Sequence, residues 1–238
     1  MEKTREGYDE LAGAFADSRT DLWEEQQAFG ALVHDNYRVL DMGCGNGRLL
    51  KLFENLKISY TGMDNSGKLL AKAQQYAKNF PRITSQFVQG NIMKLPFEDG
   101  AFNVIMCIAT LHHIPSSEYQ LATLREIKRV LDPEGQLCMT NWNLSEQPRY
   151  VKRRDKLREE HPELFEGLEE KDFMISWRWR LLGKTVYRYY HSFDIEELSL
   201  LLTQAGFRIE KQFISENAPT WDRQMTKRNI VTVARKLS

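Results

Sequence analysis

No run of apolar residues in this chain is long enough to cross a bilayer: the longest unbroken one, residues 104–109, falls far short of the roughly 20 that a membrane helix needs. The first residues, Met1-Glu2-Lys3-Thr4-Arg5-Glu6, are charged, so neither a signal peptide nor membrane attachment is expected. Cysteine is scarce. Cys44, Cys107 and Cys138 are odd in number, widely spaced and set in a glycine turn or in apolar runs. That excludes a disulfide framework, offers no metal-ligand spacing and points to reduced thiols in a cytoplasmic protein. Net charge is missing too, with 33 Lys and Arg against 33 Asp and Glu. Contact with nucleic acid would therefore have to come from a local patch. Internal repeats and low-complexity segments are absent, and 238 residues suffice for one α/β domain carrying an insertion.

What the chain does have is a glycine turn. Val39-Leu40-Asp41-Met42-Gly43-Cys44-Gly45-Asn46-Gly47-Arg48 reads as a buried strand running into three glycines in five positions, after which Leu49, Leu50 and Leu52 resume a helical apolar rhythm. Such a turn lets a ligand approach the backbone closely. The segment Ile58-Ser59-Tyr60-Thr61-Gly62-Met63 then ends in Asp64, where a Rossmann-type site grips the two ribose hydroxyls. A dinucleotide site needs G-x-G-x-x-G; here the pattern is G-C-G-N-G, preceded by Asp41. A carboxylate beside the turn would repel a pyrophosphate but suits a cationic amino-acid head, such as the methionyl ammonium of S-adenosylmethionine (SAM).

Strand and helix patterns alternate along the chain. A helix is expected over 66–78 with Ser66 as N-cap, and strands over 85–89 and 102–109. A second helix over 117–131 is followed by a turn at 132–135 and a strand over 136–141. After residue 191, Asp194-Ile195-Glu196-Glu197 reads as a capping box opening a helix that ends at Gly206, with two further strands over 207–213 and 230–234. The expected architecture is α/β: a Rossmann-like, doubly wound sheet of seven strands, mostly parallel with the last antiparallel. All of 1–238 forms one domain, with lead-in helices in 1–36 and a substrate lid inserted at 145–191.

That insertion has a composition of its own. Residues 149–158 hold six basic side chains and one acid, and six glutamates follow in 159–170. Residues 171–190 are basic again and interleaved with Phe173, Trp177, Trp179, Tyr187, Tyr189 and Tyr190. Cations among aromatics suit a single-stranded RNA loop, but equally a lid packed over a small-molecule pocket. The basic run 149–158 also reads as an exposed helix face paired with the following glutamates.

In a doubly wound sheet the ligand lies beyond the carboxyl ends of the strands. This makes Cys44 and Asn65 neighbours of the expected cofactor, together with Asp41, Gly43, Gly45, Gly47 and Asp64. The turn Gly90-Asn91-Ile92 and the strand end Ile108-Ala109 are candidates too, or else plain strand ends. His112 and His113 follow the fourth strand, where they could line the path of a transferred group. Adjacent histidines do not share a helix face, which argues against a two-histidine metal site.

From Asp41 through Gly47 and on to Asp64 the chain resembles the class I SAM-dependent methyltransferases, whose first motif is an acid followed by G-x-G-x-G. Read with its flanks, it resembles more narrowly the tRNA wobble-uridine carboxymethyl methyltransferases. The lead-in Tyr8-Asp9-Glu10-Leu11-Ala12 with Phe15, Ser18-Arg19 and Trp23, the G-C-G-N-G motif and Cys107-Ile108-Ala109-Thr110-Leu111-His112-His113 all carry the likeness. So do Trp142 with Glu146-Gln147, and Arg188-Tyr189-Tyr190-His191-Ser192-Phe193. The resemblance implies SAM as cofactor and tRNA as substrate, with a small activating partner subunit in some members. It also implies a substrate site drawn from Arg19, Trp142, Arg188, Tyr190 and His191, with His112 and His113 as catalytic candidates. The remaining alternatives are a small-molecule O-, N- or C-methyltransferase and a noncatalytic SAM-binding protein.

Overall fold

The computed structural model describes residues 22–179, 184–215 and 229–237. Among these, α1 (Glu24–Gly30) leads into β1 (Arg38–Met42), β2 (Ser59–Asp64), α2 (Gly67–Ala77), β3 (Thr84–Gln89) and β4 (Phe102–Ile108). There follow α3 (Ser117–Val130), β5 (Leu131–Trp142), α4 (Pro148–Glu160), β6 (Asp172–Trp179) and β7 (Lys184–His191). The described chain closes with α5 (Ile195–Gln204), β8 (Phe207–Ile214) and β9 (Asn229–Lys236).

Seven strands form one sheet in the order β3-β2-β1-β4-β5-β9-β8. The first five pair in parallel, and β9 runs antiparallel to both of its neighbours, as the sequence led us to expect. Apolar side chains are buried on both faces. Leu40, Ile105, Leu137 and Phe207 meet α3 and α5 on one side, while Val39, Val104 and Cys138 pack with Phe29, Phe53 and Phe80 on the other. Since β1 has β2 on one flank and β4 on the other, strand order reverses there. The crevice at its carboxyl end is where such a sheet takes a ligand.

Local chemistry sets the element ends. Ser66 Oγ accepts the Leu69 amide at 3.2 Å and so caps α2, and Asp194 Oδ1 accepts the Glu197 amide at 2.8 Å at the start of α5. Only half of the expected capping box forms, because the Glu197 carboxylate turns instead to His191 and Lys171. Residues 48–53 form a 3-10 helix rather than an α-helix: it begins at Gly47 in the left-handed region and stops before exposed Glu54 and Asn55, and a segment this short closes more readily through i→i+3 bonds. The expected turn at 132–135 is a bulge inside β5, where pairing with β4 jumps from Phe102↔Leu131 to Val104↔Gln136.

The insertion contains α4 and a separate two-stranded ribbon, β6 with β7, that pattern reading did not anticipate. A latch holds it to α5. His191 Nδ1 lies 2.8 Å from Asp172 Oδ1, and His191 Nε2 lies 2.8 Å from Glu197 Oε1. Tyr189 donates its hydroxyl to the same Asp172 oxygen, and Lys171 Nζ bridges Asp194 and Glu197. Burial disfavours a charged His191, but the two carboxylates outweigh it and raise its pKa to about 9.

A histidine whose pKa is raised on folding stabilises most below its unfolded value of about 6.5, and that contribution fades as pH rises through about 9. His191→Gln is therefore expected to lower unfolding free energy by up to about 3 kcal/mol near pH 6, with the gap closing toward pH 9. Denaturant titrations across that range check it, and a gap independent of pH would contradict the latch.

Candidate active site

The crevice at the carboxyl end of β1 opens into a cavity whose floor is acidic. Asp41, one residue before the end of β1, is 1 % exposed and accepts the Tyr60 hydroxyl at 2.6 Å. Burial raises its pKa to about 7 against the opposing effects of the Tyr60 bond and of Arg48, while neighbouring Asp64 adds to the rise. At neutral pH this carboxyl therefore stands near its midpoint, and a cation arriving beside it would favour ionisation.

Three glycines after Asp41 all have positive φ: Gly43 at 76°, Gly45 at 55° and Gly47 at 77°. Gly43 also faces an immediate steric limit, since a Cβ there would sit 2.3 Å from Thr110 Oγ1. The Thr110 hydroxyl lies 3.1 Å from the Met42 carbonyl and 3.0 Å from that of Ile108, so its single proton ties the end of β4 to the turn after β1. Gly47 does not line the cavity; it lets the turn pack on Ala73 of α2, 3.1 Å from where a Cβ would be.

Asp64 is held from two sides. One carboxylate oxygen accepts the Gly45 amide at 2.9 Å, and the other accepts the Ser66 amide at 2.9 Å. The carboxylate thereby faces the cavity in a fixed orientation, with lone pairs suited to a diol. Next to it, the buried Asn65 Oδ1 has no hydrogen-bond partner among the described residues, an acceptor waiting for a donor such as a base amine. Asn91 and Ile92 line the cavity beyond β3, and Ile108 and Ala109 line it at the end of β4, with Ala109 in the left-handed region at φ 52°. The glycine cradle, the clamped acid and the orphaned acceptor fit an adenosyl group with a cationic amino-acid tail. Cys44 also lines the cavity, but burial and both acids hold its thiol well above the usual range, so it is no nucleophile.

The opposite half of the cavity is aromatic and basic. The Trp142 and Tyr190 rings stack with centroids 4.8 Å apart and planes within 2°. His112 lies 5.0 Å from Trp142, His113 lies 4.5 Å from Tyr190, and the Arg188 guanidinium sits 5.3 Å over the Tyr190 ring. Because β7 alternates, Arg188 and Tyr190 face the cavity while Tyr189 and His191 face the latch. His191 is thus not brought to the cavity, and Arg19 lies outside the described residues.

Backbone contacts give the two histidines opposite tautomers. His112 Nδ1 meets the Trp142 amide at 3.2 Å, and an amide can only donate, so the neutral ring carries its proton on Nε2. His113 Nδ1 lies 2.9 Å from the Tyr189 carbonyl, which can only accept, so its proton is on Nδ1 and Nε2 is bare. Burial and the Arg188 charge lower the His113 pKa to about 4, outweighing the Tyr189 bond. His113 therefore stays neutral across the physiological range.

Residues 40–139 match the methyltransferase-domain family. The chain carries a methyltransferase domain. A protein of Encephalitozoon cuniculi named as a methyltransferase is 29 % identical over 207 residues, 85 % of each chain. The tRNA (carboxymethyluridine(34)-5-O)-methyltransferase of Xenopus tropicalis is 31 % identical over 149 residues, covering 63 % of this chain but only 22 % of that much longer protein. Among solved structures, a SAM-dependent methyltransferase of Methanosarcina mazei superposes with a TM-score of 0.72 at 24 % identity, over 91 % of this chain and 99 % of that one. The acid-floored glycine cradle lies inside the matched residues and is the part of that domain that fits SAM.

Several lining residues escaped the sequence reading. Trp23, at the N-cap of α1, stacks under the Arg48 guanidinium at 4.8 Å, and both border the cavity of the methyltransferase domain. Asn46 and Arg48 flank the last glycine of the turn, so adjacency was an available signal. Thr110 had none, since its importance lies in the space left by a glycine 67 positions earlier.

Two outcomes follow for cofactor binding. Asp64→Ala removes a charge-assisted acceptor and is expected to weaken SAM binding at least about tenfold, and Gly43→Val, which collides with Thr110, to abolish it. Unchanged calorimetric affinity in both would overturn the placement. Because ionised Asp41 favours a cation, wild-type affinity is expected to rise up to about eightfold from pH 6 to 7.5, a rise that Asp41→Asn flattens.

Proposed function

We propose that this methyltransferase esterifies a carboxylate, that of a 5-carboxymethyl wobble uridine in tRNA. The observation that carries the reading is the division of the cavity: beyond the acidic cofactor half, the described lining supplies a guanidinium and an Nε2–H donor but no competent base. Bound SAM supplies a methyl group on a positively charged sulfur, which departs with the bonding pair. A carboxylate with an ordinary pKa near ~4 is already ionised at neutral pH, so it needs alignment rather than deprotonation. Arg188 pairs with the anion, His112 Nε2–H donates to it, and the Trp142–Tyr190 wall gives a splayed pyrimidine a plane to lie against. His113, neutral and with Nε2 bare, lines the methyl path without competing for the acceptor's charge. On this reading the insertion 145–191 is the substrate lid of a single domain spanning 1–238, Arg19 of the lead-in segment 1–36 joins Arg188 at the anion, and an activating subunit assists. The similarity to the Xenopus tropicalis enzyme supports the choice of acceptor.

Incubation of bulk tRNA with the enzyme and methyl-labelled SAM tests it, with the expected label being alkali-labile as an ester is. At saturating SAM the rate is expected to be flat above about pH 7, and Arg188→Ala to raise the tRNA KM more than it lowers kcat. A rate that climbs with pH, with His113→Ala costing mainly kcat, would replace the carboxylate with a hydroxyl or amine. Label taken up only by small molecules would remove the nucleic acid.

A further inference from the structure

The insertion carries a surface that the cavity does not use. Helix α4 holds six cations and sorts them by side. Arg154 and Arg158 turn inward: their guanidiniums lie over Phe173 at 4.8 Å and Phe165 at 4.9 Å, and Arg154 also donates to the Glu170 carbonyl. Arg149, Lys152, Arg153 and Lys156 are all exposed and fall at i, i+3, i+4 and i+7, which is one face of the helix. The following glutamates do not neutralise its middle residues. Lys156 meets Glu160 at 3.6 Å between two well-exposed side chains, a pair worth little, and no ion pair reaches Lys152 or Arg153 among the described residues.

The stripe sits next to the acceptor half of the cavity. Tyr150, on the buried side of α4, belongs to the same apolar cluster as Trp142, Phe173 and Tyr190, so one aromatic layer separates the helix from the cavity wall. Its four cations span about 10 Å along the helix axis, enough to meet successive phosphates of a strand whose base is lodged in the cavity. We infer that the outer face of α4 binds the RNA phosphate backbone flanking the methylated nucleotide. This rests on the reading of tRNA as substrate and adds the surface that holds it. The occupant is a nucleic-acid strand because the cations are spaced along a line with no apolar side chains among them, whereas an interfacial membrane helix would show an apolar face to lipid.

The test uses full-length enzyme, bulk tRNA, labelled SAM and the triple variant Lys152→Ala, Arg153→Ala, Lys156→Ala. Each cation removed is expected to reduce the slope of log affinity against log salt by roughly 0.7, about 2 in all. The variant should also raise the tRNA KM at least about tenfold at moderate salt, leaving SAM affinity and methylation of the free 5-carboxymethyluridine nucleoside unchanged. Arg154→Ala is the control: it should lower the melting temperature and leave the salt slope alone. Wild-type methylation of tRNA with an unaltered slope and KM in the triple variant overturns the surface while the substrate reading stands. Salt-dependent tRNA binding that the triple variant weakens, without methyl uptake, supports the surface while the substrate reading falls. Preference for anionic phospholipid vesicles over tRNA overturns it as well.

Discussion

The Asp64 carboxylate is shared between two backbone amides, Gly45 from the turn after β1 and Ser66 from the cap of α2. Around this shared anion the cofactor half of the molecule is organised. It joins two loops that belong to different strands and stops the glycine turn from relaxing toward solvent. From the other side Thr110 enters the space that Gly43 leaves and bonds the strand ends. A turn gripped on both flanks can keep three residues at positive φ, and it can keep Asp41 and Asp64 close enough that burial and mutual repulsion hold Asp41 near neutrality. An isolated loop would separate such charges or hydrate them. Here they persist as a standing preference for a cation.

The electrostatics of the cavity change sign along its length. Carboxylates lie under the glycine cradle, and Arg188 with two neutral imidazoles lies against the aromatic wall. The tautomers of those imidazoles are dictated by backbone groups, not by each other. A shift of β7 against the segment after β4 would therefore release the His113 tautomer with no substitution of the ring, whereas that of His112 follows the Trp142 amide at the end of β5.

What the sequence made legible was short in range. The glycine turn, the Ser66 cap and the strand patterns each rest on neighbours within about ten residues, and Asp64 on a spacing of one strand–turn–strand unit from the turn. Features that depend on distant partners were hidden. Thr110 matters because Gly43 is a glycine, and the Glu197 side chain is drawn out of its capping box by Lys171, 26 positions earlier, as well as by His191. The ribbon β6–β7 shows no clean alternation, since Asp172 and Phe173 are both buried, one in a polar latch and the other in an apolar cluster. For the same reason His191 looked like a partner of Arg188: adjacency in sequence suggested a shared site, and strand geometry sent the two to opposite faces.

That strand geometry couples two jobs. The cavity takes Arg188 and Tyr190, and the latch takes Tyr189 and His191, all from four consecutive residues of one strand paired to β6 through Asp172↔His191 and Phe173↔Tyr190. A slip of a single residue in that pairing would exchange the two sets, turning the latch histidine toward the acceptor and the guanidinium toward α5. Length changes in this ribbon are therefore tolerable only in pairs. Any lineage that reshapes the lid for a new acceptor must do so by exchanging side chains at fixed register or by adding residues two at a time.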